Sequence, residues 1–424
     1  MVSSNLTDTQ SHDRLSTTDR DRTGQTDFPI FTSHPELIYL DHAATSQKPQ
    51  QVIDAMSRYL TESNGSPHRG AHKLSVEATR LYDIGRKKVA AFIGASRPEE
   101  VVFTKNATEA LNLIAYTYGL SAVKAGDEIV VAITSHHSNI VPWQMVASRT
   151  GATLKFMYVS PEGDFLPGEW DKITDQTKLV AFPWVSNSLG VIHDISGLIA
   201  KAHAHGAVAV VDAAQAVGHL PVDVCALDAD FLVFSGHKMY GPTGIGVLYG
   251  KHAHLEAMPP FLTGGDMIEY VEEQSTTFAA VPERFEAGTQ HVEGVVGLMA
   301  AMDFIEHMGI TRISEKEQRI ARYAVKRLSE LPFVRVYGPR EGHDRGALVA
   351  FEVEGIHPHD LASILDDRGI AIRAGHHCTQ PLMKSLGIMA SCRASFSIYN
   401  HVGEVDALVE GLHHARRIFG YEHG

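Results

Sequence analysis

With 424 residues and 44% apolar content, the chain is long enough for two domains around a large core and has the make-up of a globular protein. Its 37 basic and 50 acidic residues leave a net charge of -13 with no basic cluster, which argues against nucleic acid or an anionic membrane surface as the main partner. No apolar run is long enough to span a bilayer, and the three cysteines, Cys225, Cys378 and Cys392, fit a reducing cytoplasm better than a disulfide scaffold.

Residues 1–28 are rich in Ser, Thr, Asp, Arg and Gln, lack the apolar core of a signal peptide, and read as a disordered polar tail. From about Asp41 to Gly250, apolar runs at 101–104, 128–132, 154–159, 179–184, 207–212, 230–234 and 246–249 alternate with amphipathic stretches such as 108–118 and 199–205. Buried strands alternating with helices predict an α/β domain with a mostly parallel sheet flanked by helices, whose ligands gather at the carboxyl ends of the strands. Beyond residue 300 the pattern changes: helices at 295–308 and 315–330, strands at 334–337 and 348–353, a helix at 358–367, strands at 370–373 and 394–398, and a last helix from Val402. The expected division is a large domain over 29–300 and a smaller α+β domain over 301–424 that carries the Cys378 loop.

Lys238 lies in Ser235-Gly-His-Lys-Met-Tyr-Gly, directly after the apolar run at 230–234. A lysine at the end of a buried strand loses ammonium stabilisation, and a lowered pKa prepares it to form a Schiff base with an aldehyde. Asp212 ends the preceding strand, so a carboxylate and a lysine meet at one edge of one sheet. That pairing points to pyridoxal phosphate (PLP), with Asp212 keeping the pyridine nitrogen protonated and Lys238 holding the aldehyde.

In Phe103-Thr-Lys-Asn-Ala-Thr-Glu a strand runs into a helix, whose N–H groups at Ala107 and Thr108, with the Thr108 hydroxyl, suit a phosphate. Asn106 or Thr108 serves equally well as a plain N-cap. Ser235 and His237 can add phosphate contacts, and Gln215 can reach the phenolic oxygen of the ring. His136 reads either as a ring-stacking imidazole or as a loop residue. Cys378, in Arg373-Ala-Gly-His-His-Cys-Thr-Gln-Pro, has no apolar neighbours, and Arg373, His376 and His377 can stabilise its thiolate, which makes it a candidate nucleophile. Arg393 offers a planar fork for a substrate carboxylate, with Arg373 and Asn187 as further contacts. The 25 histidines show no ligand set at metal spacing, so no metal is expected.

Taken together, these segments resemble the class V aminotransferase family, and within it the group II cysteine desulfurases of the SUF iron–sulfur assembly type. The likeness runs from about Tyr39 to the last helix. It rests on Tyr39-Leu-Asp-His-Ala-Ala-Thr, His68-Arg-Gly-Ala-His, His136-His-Ser-Asn-Ile-Val-Pro-Trp, Val211-Asp-Ala-Ala-Gln, Ser235-Gly-His-Lys, Arg284-Phe-Glu-Ala-Gly-Thr and Arg373-Ala-Gly-His-His-Cys. The resemblance implies a PLP fold type I homodimer. In it Lys238 is the Schiff-base lysine, Asp212 the pyridinium partner, Gln215 the phenolic-oxygen donor and His136 the stacking ring. Thr108, Ser235 and His237 match the phosphate binders, and Thr289 matches a residue lent by the second subunit. Arg393 and Asn187 match the substrate-carboxylate contacts, and Cys378 the persulfide-forming cysteine.

The chain departs from the family's pattern at His42, where Ser or Asn is usual, and at Ser135, Trp184 and Gln290; none removes a group the chemistry needs. The implied reaction converts L-cysteine to L-alanine, with Lys238 as base and a persulfide on Cys378. The sulfur then passes to an acceptor protein of SufU or SufE type, with His376 or His377 as a ligand donor if that acceptor carries zinc. Two other readings stand beside it: a selenocysteine lyase of the same fold, which does not depend on Cys378, and a non-catalytic partner-binding scaffold.

Overall fold

The protein is described here from a computed structural model that covers residues 25–68 and 70–421. The stretch expected to be tail ends in defined structure: Gln25–Asp27 form a single helical turn, and Phe28 is fully buried against Tyr240, Phe304 and Tyr399. Residues 1–24 of the expected tail, and Arg69 of the His68–His72 motif, lie outside the described residues.

The strands in chain order begin with β1 (Ile38–Tyr39), followed by seven that form the central sheet: β2 (Val101–Thr104), β3 (Glu128–Ala132), β4 (Thr153–Met157), β5 (Thr177–Pro183), β6 (Val208–Asp212), β7 (Phe231–Ser235) and β8 (Gly246–Gly250). The sheet order is β2-β8-β7-β6-β5-β3-β4. β8 runs antiparallel to both its neighbours, and every other pairing is parallel. Near-continuous apolar runs suit this sheet because both faces are covered. Successive residues point to opposite faces, so Ala209 and Val211 enter one core while Val208 and Val210 enter the other. Helices Lys73–Phe92 and Val292–Met308 cover the first face. Gly85 lets them close together, since a Cβ there would lie 2.1 Å from Val295 Cγ1. Helices Ala107–Ile114 and Val141–Thr150 cover the second.

An exposed hairpin, β9 (Ile268–Val271) and β10 (Thr276–Phe278), follows. The C-terminal unit holds β11 (Val334–Tyr337), β12 (Leu348–Val353), β13 (Ile370–Ala371), β14 (Arg373–Gly375) and β15 (Ser391–Ser395). Four of these make an antiparallel sheet in the order β11-β12-β15-β14. Helices Ile310–Ser329, Pro358–Asp366 and Val402–Ile418 bury their apolar sides against it. The chain near residue 40 also belongs to this unit: β1 pairs with β13, and Leu40 packs in its core. The division expected at residue 300 falls inside the helix Val292–Met308.

Two expected strands differ. The run at 370–373 splits, with β13 pairing to β1 and β14 to β15. The strand expected at 394–398 lies three residues earlier, because the Asn400 side chain accepts from Ser397 N (2.7 Å) and turns the chain there. Arg393 therefore stands in mid-strand, opposite Arg373. Helices Gln50–Arg58, Lys73–Phe92, Val141–Thr150 and Gln380–Ser385 and the β9–β10 hairpin were not among the sequence expectations. Among the described residues no helix is long and apolar enough to cross a membrane.

Candidate active site

The carboxyl ends of β5, β6 and β7, the start of helix Ala107–Ile114 and the loop after β14 converge on one cleft. Its walls include Ala107, Thr108, His136, Asn187, Asp212, Gln215, Ser235, His237, Lys238, Arg373, Cys378 and Arg393, twelve of the thirteen residues singled out from the sequence. The thirteenth, Thr289, is exposed and lines a separate hollow with Phe261 and Leu262. Its loop is anchored by Glu286, whose buried carboxylate takes both Arg86 Nη atoms (2.8 and 2.7 Å), the Tyr82 hydroxyl (2.9 Å) and Phe103 N (2.7 Å).

Burial lowers the Lys238 pKa to about 8, with Arg393 and Arg373 adding to the effect against the pull of Asp212. Asp212 is itself buried, and burial raises its pKa despite the hydrogen bond from Ala214 N (3.0 Å) and the nearby Lys238. That backbone N–H is its sole donor among the described residues. A desolvated carboxylate with one partner calls for a cationic N–H opposite it.

At the other end of the cleft, Asn106 caps helix Ala107–Ile114, its Oδ1 accepting from Glu109 N (2.9 Å). The cap is thus Asn106, and the exposed Thr108 hydroxyl is left for a ligand. Gly246 permits the close approach of this helix start, since a Cβ there would lie 2.5 Å from Asn106 Cα. Ala107 N–H, expected to face a phosphate, is instead committed to Ser235 Oγ (2.9 Å). His237 Nδ1 meets Thr45 Oγ1 at 3.2 Å, and burial, then Lys238 and Lys48, lower its pKa to about 4.

His136, read from the sequence either as a stacking ring or as a loop residue, caps a turn at the cleft wall. Its Nδ1 accepts from Ser138 N (3.1 Å), capping the turn His137–Asn139, which puts the ring proton on Nε2. Burial first, then Lys238, lowers its pKa to about 3, so the ring on the cleft wall is neutral. Gln215 Nε2 donates one hydrogen to Ala43 O at 2.7 Å. These groups fit a flat, phosphate-bearing pyridinium: an underpartnered carboxylate, a neutral ring, a free hydroxyl beside a helix start and a lysine of lowered pKa.

Cys378 sits half-buried on a backbone that natural residues avoid. His377 (φ 51°) and Cys378 (φ 57°) are consecutive non-glycine residues in the left-handed region, which costs about 1–2 kcal/mol each. Three hydrogen bonds hold them there: Asn187 Nδ2 to His377 O (2.7 Å), His137 N to Cys378 O (2.8 Å) and Thr379 N to His376 O (2.9 Å). The expectation that His377 supports a thiolate by its charge is corrected: it is buried, its Nε2 meets Ser391 Oγ (3.0 Å), and burial holds its pKa well below the usual value. His376 is exposed.

Arg393 is buried, its Nη1 donating to Asn187 O (2.8 Å) and its Nη2 to Asp41 Oδ1 (3.1 Å), while its Nε has no partner. Arg373 lies opposite it across β14 and β15, so two guanidinium groups line the cleft, and Asp41 pairs with Arg393 alone. An orphaned N–H and a net positive wall suit a small carboxylate. Asp41–Thr45 was quoted only as part of a motif and Ser46–Lys48 not at all, yet this segment stitches the site together: Ser46 N, Ser46 Oγ and Lys48 Nζ all donate to His237 O (2.9, 2.9 and 3.1 Å).

Residues 38–408 match the family described as Aminotransferase class-V. A probable cysteine desulfurase of Streptomyces coelicolor is 48% identical over 403 residues, covering 93% of this chain and 96% of the relative. A cysteine desulfurase of Haloferax volcanii is 47% identical, covering 90% of each chain. The solved apo structure of a cysteine desulfurase from Thermococcus onnurineus superposes with a TM-score of 0.88 at 44% identity, covering 93% of this chain and 97% of that one.

Proposed function

The chain belongs to the aminotransferase class V family, and from that footing we propose that it is a PLP-dependent cysteine desulfurase of the SUF type, releasing L-alanine from L-cysteine and keeping the sulfur on Cys378 for iron–sulfur cluster assembly. The observation that carries this reading is the placement of Cys378, locked in a strained turn, in the same cleft as Lys238, Asp212 and the Arg393 fork.

In this reading Asp212 would keep the ring nitrogen protonated, His136 would stack on the ring, Gln215 would face its phenolic oxygen, and Thr108, Ser235 and His237 would hold the phosphate. The bound PLP supplies an electron sink that acidifies the substrate Cα–H. Arg393, with Arg373 beside it, takes the substrate carboxylate and so fixes the amino acid's orientation. Lys238 Nζ, as a free amine, would remove the Cα proton as a base whose pKa burial lowers to about 8. The Cys378 thiolate then attacks the substrate sulfur: the S–S bond forms, the C–S bond breaks, and its electron pair goes to Cβ. Cβ takes up the proton that the Cys378 thiol gave up, and Lys238 returns its proton to Cα, which completes L-alanine.

The outer sulfur of the persulfide would pass to an acceptor thiolate at the rim of the Cys378 loop, where exposed His376 and Gln380 flank the cysteine, leaving the Cys378 thiolate behind. An acceptor of SufU or SufE type fits this rim, and of the two histidines considered as zinc donors only His376 is free to serve. Exposed Thr289 lies outside its own chain's cleft, which supports a homodimer that lends it to the partner's phosphate. Three cysteines without a disulfide fit the reducing cytoplasm.

The test is to expose the PLP-loaded protein briefly to L-cysteine, measure alanine, and weigh the Cys378 peptide. One added sulfur, removable by a reductant, is expected. Cys378→Ala should keep its visible cofactor band and nearly lose alanine release. Alanine release at the wild-type rate in that variant would move the reading to a selenocysteine lyase, and a colourless protein that takes up no PLP would move it to a scaffold.

A further inference from the structure

Behind the cleft, the turn that opens at Asp41 (Ala44 N to Asp41 O, 3.1 Å) carries a histidine that no step above uses. His42 is 2% exposed; its Nδ1 lies 2.7 Å from the Tyr399 hydroxyl and its Nε2 3.2 Å from His219 Nε2. His219 Nδ1 lies 2.8 Å from Glu317 Oε2, and the Tyr240 hydroxyl donates to Glu317 Oε1 at 3.4 Å. All five residues are buried. His42, His219 and Glu317 each offer a ligand atom within 4.8 Å of the others, a composition that suits a metal. Every ring nitrogen already has a protein partner, however, so the cluster closes on itself as a hydrogen-bonded chain. Burial, with His219 and the nearby cations adding, holds the His42 pKa well below its usual value. A neutral imidazole has one N–H and one lone pair, which matches one partner on each side.

The front of the same turn touches the reacting groups. Asp41 Oδ1 accepts from Arg393 Nη2 at 3.1 Å, and Ala43 O accepts from Gln215 Nε2 at 2.7 Å. His42 is thus the residue between the two that orient the carboxylate fork and the glutamine facing the ring. A serine or asparagine at this position is too short to meet Tyr399 and His219 together.

Resting on the desulfurase reading of the cleft, we propose that His42 is a positioning residue for substrate and cofactor. Its bridge from Tyr399 to His219 sets the height of the Asp41–Ala44 turn, and so the aim of Arg393 and of Gln215.

The experiment compares wild type with His42→Leu and His42→Asn in the full chain. It reads kcat and KM for L-cysteine, the dissociation constant of L-alanine from the shift of the visible band, PLP affinity of the apoprotein, and the melting temperature as a check on folding. His42→Leu should raise KM and the L-alanine constant about tenfold and weaken PLP several-fold, with a smaller change in kcat. His42→Asn, which keeps the reach to Tyr399 alone, should fall between. Unchanged KM, L-alanine binding and PLP affinity in a folded His42→Leu protein would overturn the proposal. If His42→Leu does not fold, His42→Asn and Tyr399→Phe decide it by the same measurements. Wild type that binds PLP and L-alanine but makes no alanine from L-cysteine would remove the desulfurase reading, and the binding comparison would still judge His42.

Discussion

Asn187 Nδ2 donates to the carbonyl oxygen of His377 at 2.7 Å, tying the turn after β5 to the backbone that presents Cys378. A side chain expected to meet the substrate carboxylate thus holds the Cys378 loop, and the Asn187 main-chain carbonyl accepts from Arg393 Nη1 at 2.8 Å. The clamp matters because His377 and Cys378 both occupy the left-handed region and relax elsewhere once released.

Asn187→Ala should therefore slow persulfide formation about tenfold while leaving L-alanine binding near its wild-type value, since one hydrogen bond to the loop is lost. Single-turnover measurement of sulfur on Cys378, beside a visible-band titration with L-alanine, separates the two roles. Weakened L-alanine binding with an intact persulfide rate would make Asn187 a carboxylate contact alone.

Lys238→Ala should abolish turnover and remove the visible band of the lysine-bound cofactor. In wild-type apoprotein the uncharged amine captures the aldehyde, so the rate of PLP uptake should rise with pH and level off above about 8, where Lys238 has lost its proton. A midpoint near the ordinary lysine value of 10.5 would show that burial does not act on it. Borohydride reduction and peptide mapping should find the pyridoxyl group on Lys238 and nowhere else.

Hybrid dimers test the loop anchored at Glu286. Protomers carrying Lys238→Ala and Thr289→Ala are each expected to be inactive or nearly so, but their hybrid holds one cleft with both lesions and one with neither. Activity should return towards half that of wild type once hybrids are verified by mass. Failure to recover would place Thr289 outside any shared site.

Acid stability should depend on Asp230, which stands at the start of β7 far from the chemistry. Burial pushes its pKa up, but hydrogen bonds from His254, Ala209 N, Lys251 and His203 outweigh that and hold the carboxyl well below the usual range. The contacts are 3.3, 2.8, 2.8 and 2.8 Å. A depressed folded-state pKa contributes stability above the unfolded value, about 3.9, that is lost as pH falls below it. Asp230→Asn should cost about 3 kcal/mol at neutral pH and flatten the stability profile below pH 4. Chemical denaturation at several pH values reads both, and a variant as stable as wild type at pH 7 would contradict the role.

The strands were legible because a sheet covered on both faces demands consecutive apolar residues: β2, β3, β11 and β12 fall where the pattern puts them. Asp212 and Lys238 were legible for a related reason, since a charged residue closing such a run has no structural use there. The order of the quoted motifs carried the family. What the tertiary structure alone decided is where side chains far apart in the chain meet. Asn187 and His377 are 190 residues apart, and Arg393 and Asp41 are 352 apart. No local spacing encodes such a contact. The same holds for Ala107 N–H, spent on Ser235, for His377, silenced by burial, and for His42, whose two ring nitrogens acquire partners only when the Asp41–Ala44 turn packs against Tyr399, beyond the last strand of the small sheet, and His219, in the turn after Gln215. Sequence periodicity reports which face of an element is buried; hydrogen bonds between elements depend on distances that exist only after packing.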